Sequence, residues 1–273
     1  MLTQVTHPLK GNWCIQCVMA GTLPVVSELI LNDEIIVLQA QLGEWDNLNH
    51  LLVCAKSKSA VIIDPFDAKF WFDICLENGW ELEQAWLTHS HWDHSKGVEE
   101  SLELGGPNFQ VILHEKEIER GWNGPHTHLL TNSELSSHPL GIGELTFQAH
   151  CTPGHTPGHL TFTGNGVVIS GDCLFLGRCG RADLYGGDES KLRLSLRYLR
   201  DEIIHIQDWI VLPGHQYQLE DGSNPTSLTV GELLINNLAI QAVDNDEDWN
   251  SLDFLSFEDS LADKARRQRA MQS

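Results

Sequence analysis

The chain reads as an α+β protein. Short apolar runs of strand length recur along its 273 residues, segments with helical spacing of apolar side chains stand between them, and polar clusters fall in Gly/Pro turns just past the strand-like runs. That length can bury a sizeable core, and one large domain with a small appendage is the expected organisation.

Taken in order, Glu34–Gln39, His50–Ala55 and Ala60–Asp64 read as strands. Asp67–Glu77 reads as a helix with Phe70, Ile74 and Leu76 among its apolar residues and Asn78-Gly79 as its stop. Glu83–Leu87 is a short buried strand. Ser95–Leu104 is helical, with its amino terminus near the polar cluster that precedes it. Strands follow at Val111–His114, Leu145–His150, Leu160–Thr163, Val167–Ser170 and Trp209–Leu212. Gly121–His138, rich in His, Asn, Gly and Pro, reads as a loop, and its His126 and His128 as surface residues rather than a metal pair. Ser190–Arg200 is an amphipathic helix with Leu192, Leu196 and Leu199 inward. Thr229–Val243 reads as a helix, Asp244–Asp248 as an acidic linker, and Phe254–Ala270 as an exposed helix ending in Lys264, Arg266, Arg267 and Arg269.

The chemistry is concentrated in Thr88-His89-Ser90-His91-Trp92-Asp93-His94. Three imidazoles and a carboxylate within six residues exceed what packing needs, and desolvating them together is costly unless something binds them. Imidazole nitrogen and carboxylate oxygen suit zinc, iron or manganese. Three later turns each add a candidate: His155 in Thr152–His159, Asp172 in Ser170-Gly171-Asp172, and His215 in Leu212-Pro213-Gly214-His215. Glycine permits the tight bends and proline fixes them. Seven candidate ligands are too many for one tetrahedral ion. Two sites fit the count: His89, His91 and His155 for one, Asp93, His94 and His215 for the other, with Asp172 between them. In extended backbone His89 and His91 project to one side, and the turn at Trp92 sends Asp93 and His94 elsewhere. Two ions so placed can share a hydroxide nucleophile and polarise the group it attacks. His159 and Asp64 are candidates to support the ligands from behind.

These stretches resemble the metallo-β-lactamase superfamily, and within it the branch of the hydroxyacylglutathione hydrolases (glyoxalase II) and persulfide dioxygenases. The likeness rests on Thr88–His94, Thr152–His159, Gly171–Phe175, Cys179-Gly180-Arg181 and Pro213–Tyr217. It implies an αββα sandwich with metals at one edge of the two sheets, a catalytic domain over residues 1–225 and a short carboxy-terminal helical extension over 226–273. Two activities stay open. His91–His94 and Gly154–His159 are similar to glyoxalase II. That implies a thioester hydrolase acting on a hydroxyacylglutathione-like substrate through a metal-bound hydroxide. Two divalent ions would be bound, zinc first and iron or manganese as alternatives, and Asp93 would orient the hydroxide or take its proton. Gly180–Asp188 and Asn224-Pro225 are similar to the persulfide dioxygenases and to a compact bacterial glyoxalase II. The dioxygenase alternative implies one iron on His89, His155 and Asp172, acting on glutathione persulfide. The hydrolase is the preferred reading. The long carboxy-terminal domain that supplies glutathione contacts in the classical enzyme has no match here.

Charge narrows the partners. Lys plus Arg is 17 against 38 Asp plus Glu, a formal charge of −21, which repels nucleic acid and anionic membrane. A small-molecule thioester or thiol is the expected substrate. One segment reverses the field: Arg178, Arg181, Lys191, Arg193, Arg197 and Arg200 outnumber Asp183, Asp188 and Glu189. Arg178 and Arg181, in the loop after Asp172, are the candidate receptors of substrate carboxylates, with the cations of 191–200 as a solvated helix face. Tyr217 is a candidate substrate contact and Tyr185 a further nearby hydroxyl. Seven cysteines (Cys14, Cys17, Cys54, Cys75, Cys151, Cys173, Cys179), odd in number and scattered, fit reduced thiols in a cytoplasmic setting. Cys14-Ile15-Gln16-Cys17 has CxxC spacing without a thioredoxin-like surround. Val18–Val26 is mildly apolar but broken by Gly and Pro, and no run of 18 apolar residues occurs.

Overall fold

The computed structural model describes residues 24–43 and 45–255. The Cys14–Cys17 pair, most of the Val18–Val26 stretch and most of the basic Phe254–Ala270 segment lie outside the described residues. Within them, two mixed sheets pack face to face. The first runs β1 (Val26–Leu31), β2 (Ile35–Gln41), β3 (Leu48–Cys54), β4 (Ser59–Ile63), β5 (Glu81–Trp86), β6 (Gln110–His114) and β7 (His128–Leu130), in that spatial order. It is antiparallel up to β4 and parallel from β4 to β7. The second contains β8 (Ser137–Ile142), β9 (Leu145–Cys151), β10 (Leu160–Gly164), β11 (Val167–Gly171), β12 (Ile210–Pro213) and β13 (Leu228–Thr229). There β11 and β12 are parallel and the other neighbours antiparallel.

The period-two alternation of each strand builds three apolar layers. Ile35, Val37, Leu52, Val61, Ile63 and Trp86 from the first sheet meet Phe147, Ala149, Leu160, Phe162 and Ile169 from the second. On the outer face of the first sheet, Ile36, Leu38, Leu51 and Ile62 pack beneath α1 (Ala68–Asn78) and α3 (Val98–Gly105). On the outer face of the second, Val168 and Val211 pack beneath α5 (Glu189–Ile203) and the helices α6 (Val230–Asn236), α7 (Leu238–Ala242) and α8 (Asp246–Asn250). This is the αββα sandwich that the family resemblance implies. The two remaining helices, α2 (Trp92–Ser95) and α4 (Glu115–Glu119), are single turns. Asp67 caps α1 by accepting from Phe70 N, and Gly79 ends it in left-handed backbone, as the Asn-Gly signal indicated. In α5, Leu192, Leu196 and Leu199 face inward and Asp188 caps the start.

Four expectations need correction. Ser95–Leu104 is not one helix: the turn α2 ends at Ser95 and α3 begins at Val98, because Gly97 packs against the Pro65 carbonyl, where a Cβ would come within 2.8 Å. The helix start therefore lies beyond the histidine cluster. Gly121–His138 is not loop throughout, since β7 pairs with β6 and β8 begins at Ser137; short strands with a polar outer face carry little periodicity to read. Thr229–Val243 breaks at Asn237, which leaves helical backbone and accepts from Ile240 N to cap α7. Asp244–Asp248 is not a free linker: α8 begins at Asp246, and Arg193, Arg197 and Arg200 bond Asp244, Asp246 and the Val243 carbonyl. Arg193, Arg197 and Arg200 are thus paired to this segment, and Lys191 to Glu134, rather than forming a solvated face. Among the described residues, no helix is long and apolar enough to cross a membrane.

Register brings distant turns to one edge. The parallel pairing Ile63↔Trp86 sets Asp64 beside Leu87-Thr88, and Gly171↔Pro213 sets Asp172 beside Gly214-His215. Pairing of Cys151 with Leu160 sets Thr152 beside His159. Leu160 N donates to Thr88 O at 2.7 Å, and Leu48 N to Gly214 O at 2.8 Å, which stitch the two sheets together there.

Candidate metal centre

All seven residues singled out for ligation converge on this edge and are buried. Donor atoms of His89, His91 and His155 lie within 4.8 Å of one another, and so do those of Asp93, His94 and His215. Asp172 stands between the groups. Its Oδ2 is 3.5 Å from His155 Nε2 and 3.3 Å from His215 Nε2, and its Oδ1 is 3.4 Å from His94 Nε2. The approach is close enough that residues 171 and 214 must be glycine. A Cβ at Gly214 would come within 2.2 Å of Asp172 Oδ1, and one at Gly171, which has φ +49°, within 2.7 Å of Thr88.

The outer ring nitrogens are anchored, which orients the inner ones. His155 Nδ1 donates to Arg181 O at 2.7 Å and His215 Nδ1 to Trp45 O at 2.8 Å. A carbonyl can only accept, so each Nδ1 carries a proton and each ring turns its Nε2 inward. His94 Nδ1 donates to Asp64 Oδ2 at 2.9 Å. Thr88 Oγ1 donates to that same oxygen at 2.6 Å and so accepts from His89 Nδ1 at 2.9 Å. Asp64 holds this position in left-handed backbone, φ +50°, where Asp is among the more tolerant residues. Asp93 Oδ2 accepts from Asn47 Nδ2 at 2.9 Å. His159 lies behind the centre, where its Nε2 accepts from Asp172 N at 3.1 Å.

The inner ring nitrogens and carboxylate oxygens crowd together. His155 Nε2 is 2.9 Å from His91 Nδ1, His94 Nε2 is 3.1 Å from His215 Nε2, and His215 Nε2 is 3.2 Å from Asp93 Oδ2. His89 Nε2, His91 Nε2 and Asp172 Oδ1 are buried with no hydrogen-bond partner. Buried polar atoms left without partners are costly, and a bound cation would satisfy these three. Electrostatics agrees. Burial pushes His89, His91 and His155 below the ordinary histidine range, so they stay neutral. Burial opposes charge on His94 as well, but Asp172, Asp93 and Asp64 outweigh it and raise the ring to about 9. His215 is likewise raised, against its burial, by Asp172 and Asp93. The carboxylates call for positive charge, which protons or metal ions can supply. The donor set of imidazole and carboxylate fits zinc, iron or manganese.

The substrate-contact candidates lie on the loops beside the centre. Arg178 stacks over the rings of Tyr217 (5.1 Å) and Phe254 (4.7 Å), and its Nη2 donates to Phe254 O. Burial lowers its pKa somewhat. Tyr217 is 40% exposed, with its ring 6.4 Å from that of His215. The Arg181 guanidinium pairs with Asp183, while its carbonyl anchors His155. Tyr185 is exposed and its carbonyl accepts from Arg120. Sequence reading missed Asn47, Trp45 and Asn237. Asn237 is buried and donates to Phe175 O and Arg178 O, tying the carboxy-terminal helices to the loop after Asp172. An isolated Asn or a backbone carbonyl carries no spacing signal.

Comparison with known proteins gives a consistent picture. The model of the metallo-beta-lactamase superfamily matches residues 45–215. Two relatives named hydroxyacylglutathione hydrolase, from Tolumonas auensis and Methylobacillus flagellatus, are 30% and 32% identical over 169 residues. Each match covers 62% of this chain and 62% of the relative, so the chain spans less than two thirds of their length. Among solved structures, the BLEG-1 B3 metallo-beta-lactamase is 29% identical with a TM-score of 0.62, covering 74% of this chain and 97% of that one. TTHA1623 in a di-iron-bound form is 27% identical with a TM-score of 0.56, covering 73% and 98%. ETHE1 from Myxococcus xanthus, at 23% identity and a TM-score of 0.60, covers 76% and 89% and shares the fold.

Proposed function

Since the chain belongs to the metallo-beta-lactamase superfamily, we propose that it is a metal-dependent hydrolase that cleaves a thioester, with a hydroxyacylglutathione-like compound as substrate. His89, His91 and His155 would hold one divalent ion and Asp93, His94 and His215 a second, with Asp172 serving both. The observation that supports this most is Asp172: one carboxylate faces imidazoles of both groups, beside the buried and unpartnered Nε2 atoms of His89 and His91. Zinc is the first choice; the di-iron form of TTHA1623 keeps iron in view. Such ions, when bound, supply Lewis acidity for a carbonyl oxygen and lower the pKa of water toward neutrality.

The chain's own residues do the rest. Asp93, held by Asn47, is placed to take or orient a water proton near His215. Arg178 and Tyr217 form a cationic, aromatic rim suited to an anionic thioester, with Arg181 beside it. A net charge of −21 makes such a local cation useful for drawing an anionic thiol conjugate. Cytoplasmic placement goes with five buried reduced cysteines among the described residues.

The relatives named hydroxyacylglutathione hydrolase favour the hydrolase. The Gly180–Asp188 segment keeps the persulfide dioxygenase as the second reading, with one iron on His89, His155 and Asp172. Metal analysis of purified protein, run beside S-lactoylglutathione cleavage and glutathione-persulfide-dependent oxygen uptake, separates them. Two ions with thioester cleavage supports the proposal; one iron with oxygen uptake and no cleavage overturns it.

A further inference from the structure

We propose that Glu117 is a positioning residue that sets the geometry, and through it the metal affinity, of the His89/His91/His155 group without governing the Asp93/His94/His215 group. The inference rests on the metal reading above.

Glu117 is fully buried in α4, directly after β6. Its two oxygens hold different loops. Oε2 accepts from Ser90 N at 3.0 Å and from the Ser90 hydroxyl, and Oε1 accepts from Gly158 N at 2.9 Å. Ser90 lies between His89 and His91. Gly158 lies three residues beyond His155, in the turn between β9 and β10. One carboxylate therefore spans the two loops, one from each sheet, that supply the three imidazoles. The fit at Gly158 is tight, since a Cβ there would come within 2.9 Å of Glu117. Arg120 extends the network: its Nη1 lies 3.9 Å from Glu117 Oε2 and donates to Ser90 Oγ at 3.1 Å, and its Nε donates to Tyr185 O at 2.8 Å. The loop after Asp172, whose Arg181 carbonyl anchors His155, is thereby tied in as well.

The other group hangs from separate supports, His94 from Asp64, Asp93 from Asn47 and His215 from Trp45. A buried carboxylate is costly to desolvate and is kept where its acceptor capacity is filled. Here that capacity is filled by ligand-bearing loops, so the carboxylate transmits their spacing.

Glu117→Gln tests this, because an amide nitrogen would have to face the Ser90 or the Gly158 N–H, donor against donor. The substitution is compared in two backgrounds, His215→Ala, which leaves the first group whole, and His155→Ala, which leaves the second whole. Zinc affinity is read by competition with a chromophoric chelator. Glu117→Gln should weaken zinc binding by about 10–100-fold in the His215→Ala background, the range typical of an outer partner, and leave it unchanged in the His155→Ala background. Equal weakening in both, or in neither, overturns the inference. If circular dichroism shows Glu117→Gln unfolded, Ser90→Ala, which removes one donor to the same carboxylate, takes its place. Weakening confined to the His215→Ala background then supports the inference, and equal weakening or none overturns it. A wild-type protein that binds no zinc overturns the metal reading itself and takes this inference with it.

Discussion

His94 Nδ1 and Thr88 Oγ1 share one acceptor, Asp64 Oδ2, at 2.9 and 2.6 Å, and through Thr88 that oxygen also steers His89. A single carboxylate at the end of β4 thus orients an imidazole in each of the two groups. Asp64 Oδ1 is taken by Thr88 N at 2.7 Å, so every partner of this side chain is a donor.

Asp64→Asn is therefore expected to damage both groups. Asn tolerates the φ +50° backbone as Asp does, so the change isolates the charge and the acceptors. Its amide nitrogen must oppose a buried donor, which costs about 1–3 kcal/mol. Urea unfolding of the metal-free protein should show that loss, and zinc titration should show weakening at both sites. Native zinc affinity in a folded Asp64→Asn protein would count against the relay.

Asp172→Ala makes a different prediction. Asp172 contacts three imidazoles that belong to two groups, so its removal should cost bound metal and thioester cleavage together. Inductively coupled plasma analysis gives the metal content. Full occupancy by two ions in the variant would refute the bridging role.

Much of this centre was legible because ligand chemistry leaves a dense local pattern. His89, His91, Asp93 and His94 sit within six residues, and His155, Asp172 and His215 each follow an apolar strand in a Gly/Pro turn. The sandwich was implied by the family resemblance, and in the structure Ile35/Val37 and Ile36/Leu38 alternate between two apolar layers. The supports were harder to read. Trp45 acts through its carbonyl, which has no residue signature, and Asn47 and Glu117 are single polar residues whose partners lie 46 and 41 positions away. The break at Asn237 was hidden because its cap and its bonds to Phe175 and Arg178 are tertiary. The arginines of α5 looked solvated because their partners, Asp244 and Asp246, lie 44 to 53 positions further along the chain.

That pairing separates the arginines by role. Arg178 stands between the rings of Tyr217 and Phe254, and the Tyr217 ring is 6.4 Å from that of His215, whereas Arg193 and Arg197 are engaged with Val243, Asp244 and Asp246. Steady-state kinetics with an anionic thioester should show a raised KM for Arg178→Ala, and a smaller rise for Arg181→Ala, whose guanidinium already faces Asp183. Arg193→Ala and Arg197→Ala should leave KM unaltered. A KM effect confined to the α5 variants would move the substrate receptor to that helix.

Acid stability offers a test remote from the metal ligands. His150 is buried against Tyr198 OH and Thr163 Oγ1, and burial lowers its pKa to about 4. His50 is buried with Nε2 accepting from Gln39, and burial lowers its pKa to about 3. In the unfolded chain both bind protons near pH 6.5, so below that value the unfolded state holds more protons than the folded one. Stability must then fall as pH drops from about 6.5 toward 4 for His150 and toward 3 for His50, at up to about 1.4 kcal/mol per pH unit for each group. Over its window His150 alone forfeits on the order of 3 kcal/mol. Urea unfolding of the metal-free protein between pH 4.5 and 6, compared for wild type and His150→Leu, isolates that contribution. The variant should lose stability with acid less steeply than wild type. Identical slopes would mean that His150 already carries its proton in the folded state, despite its burial.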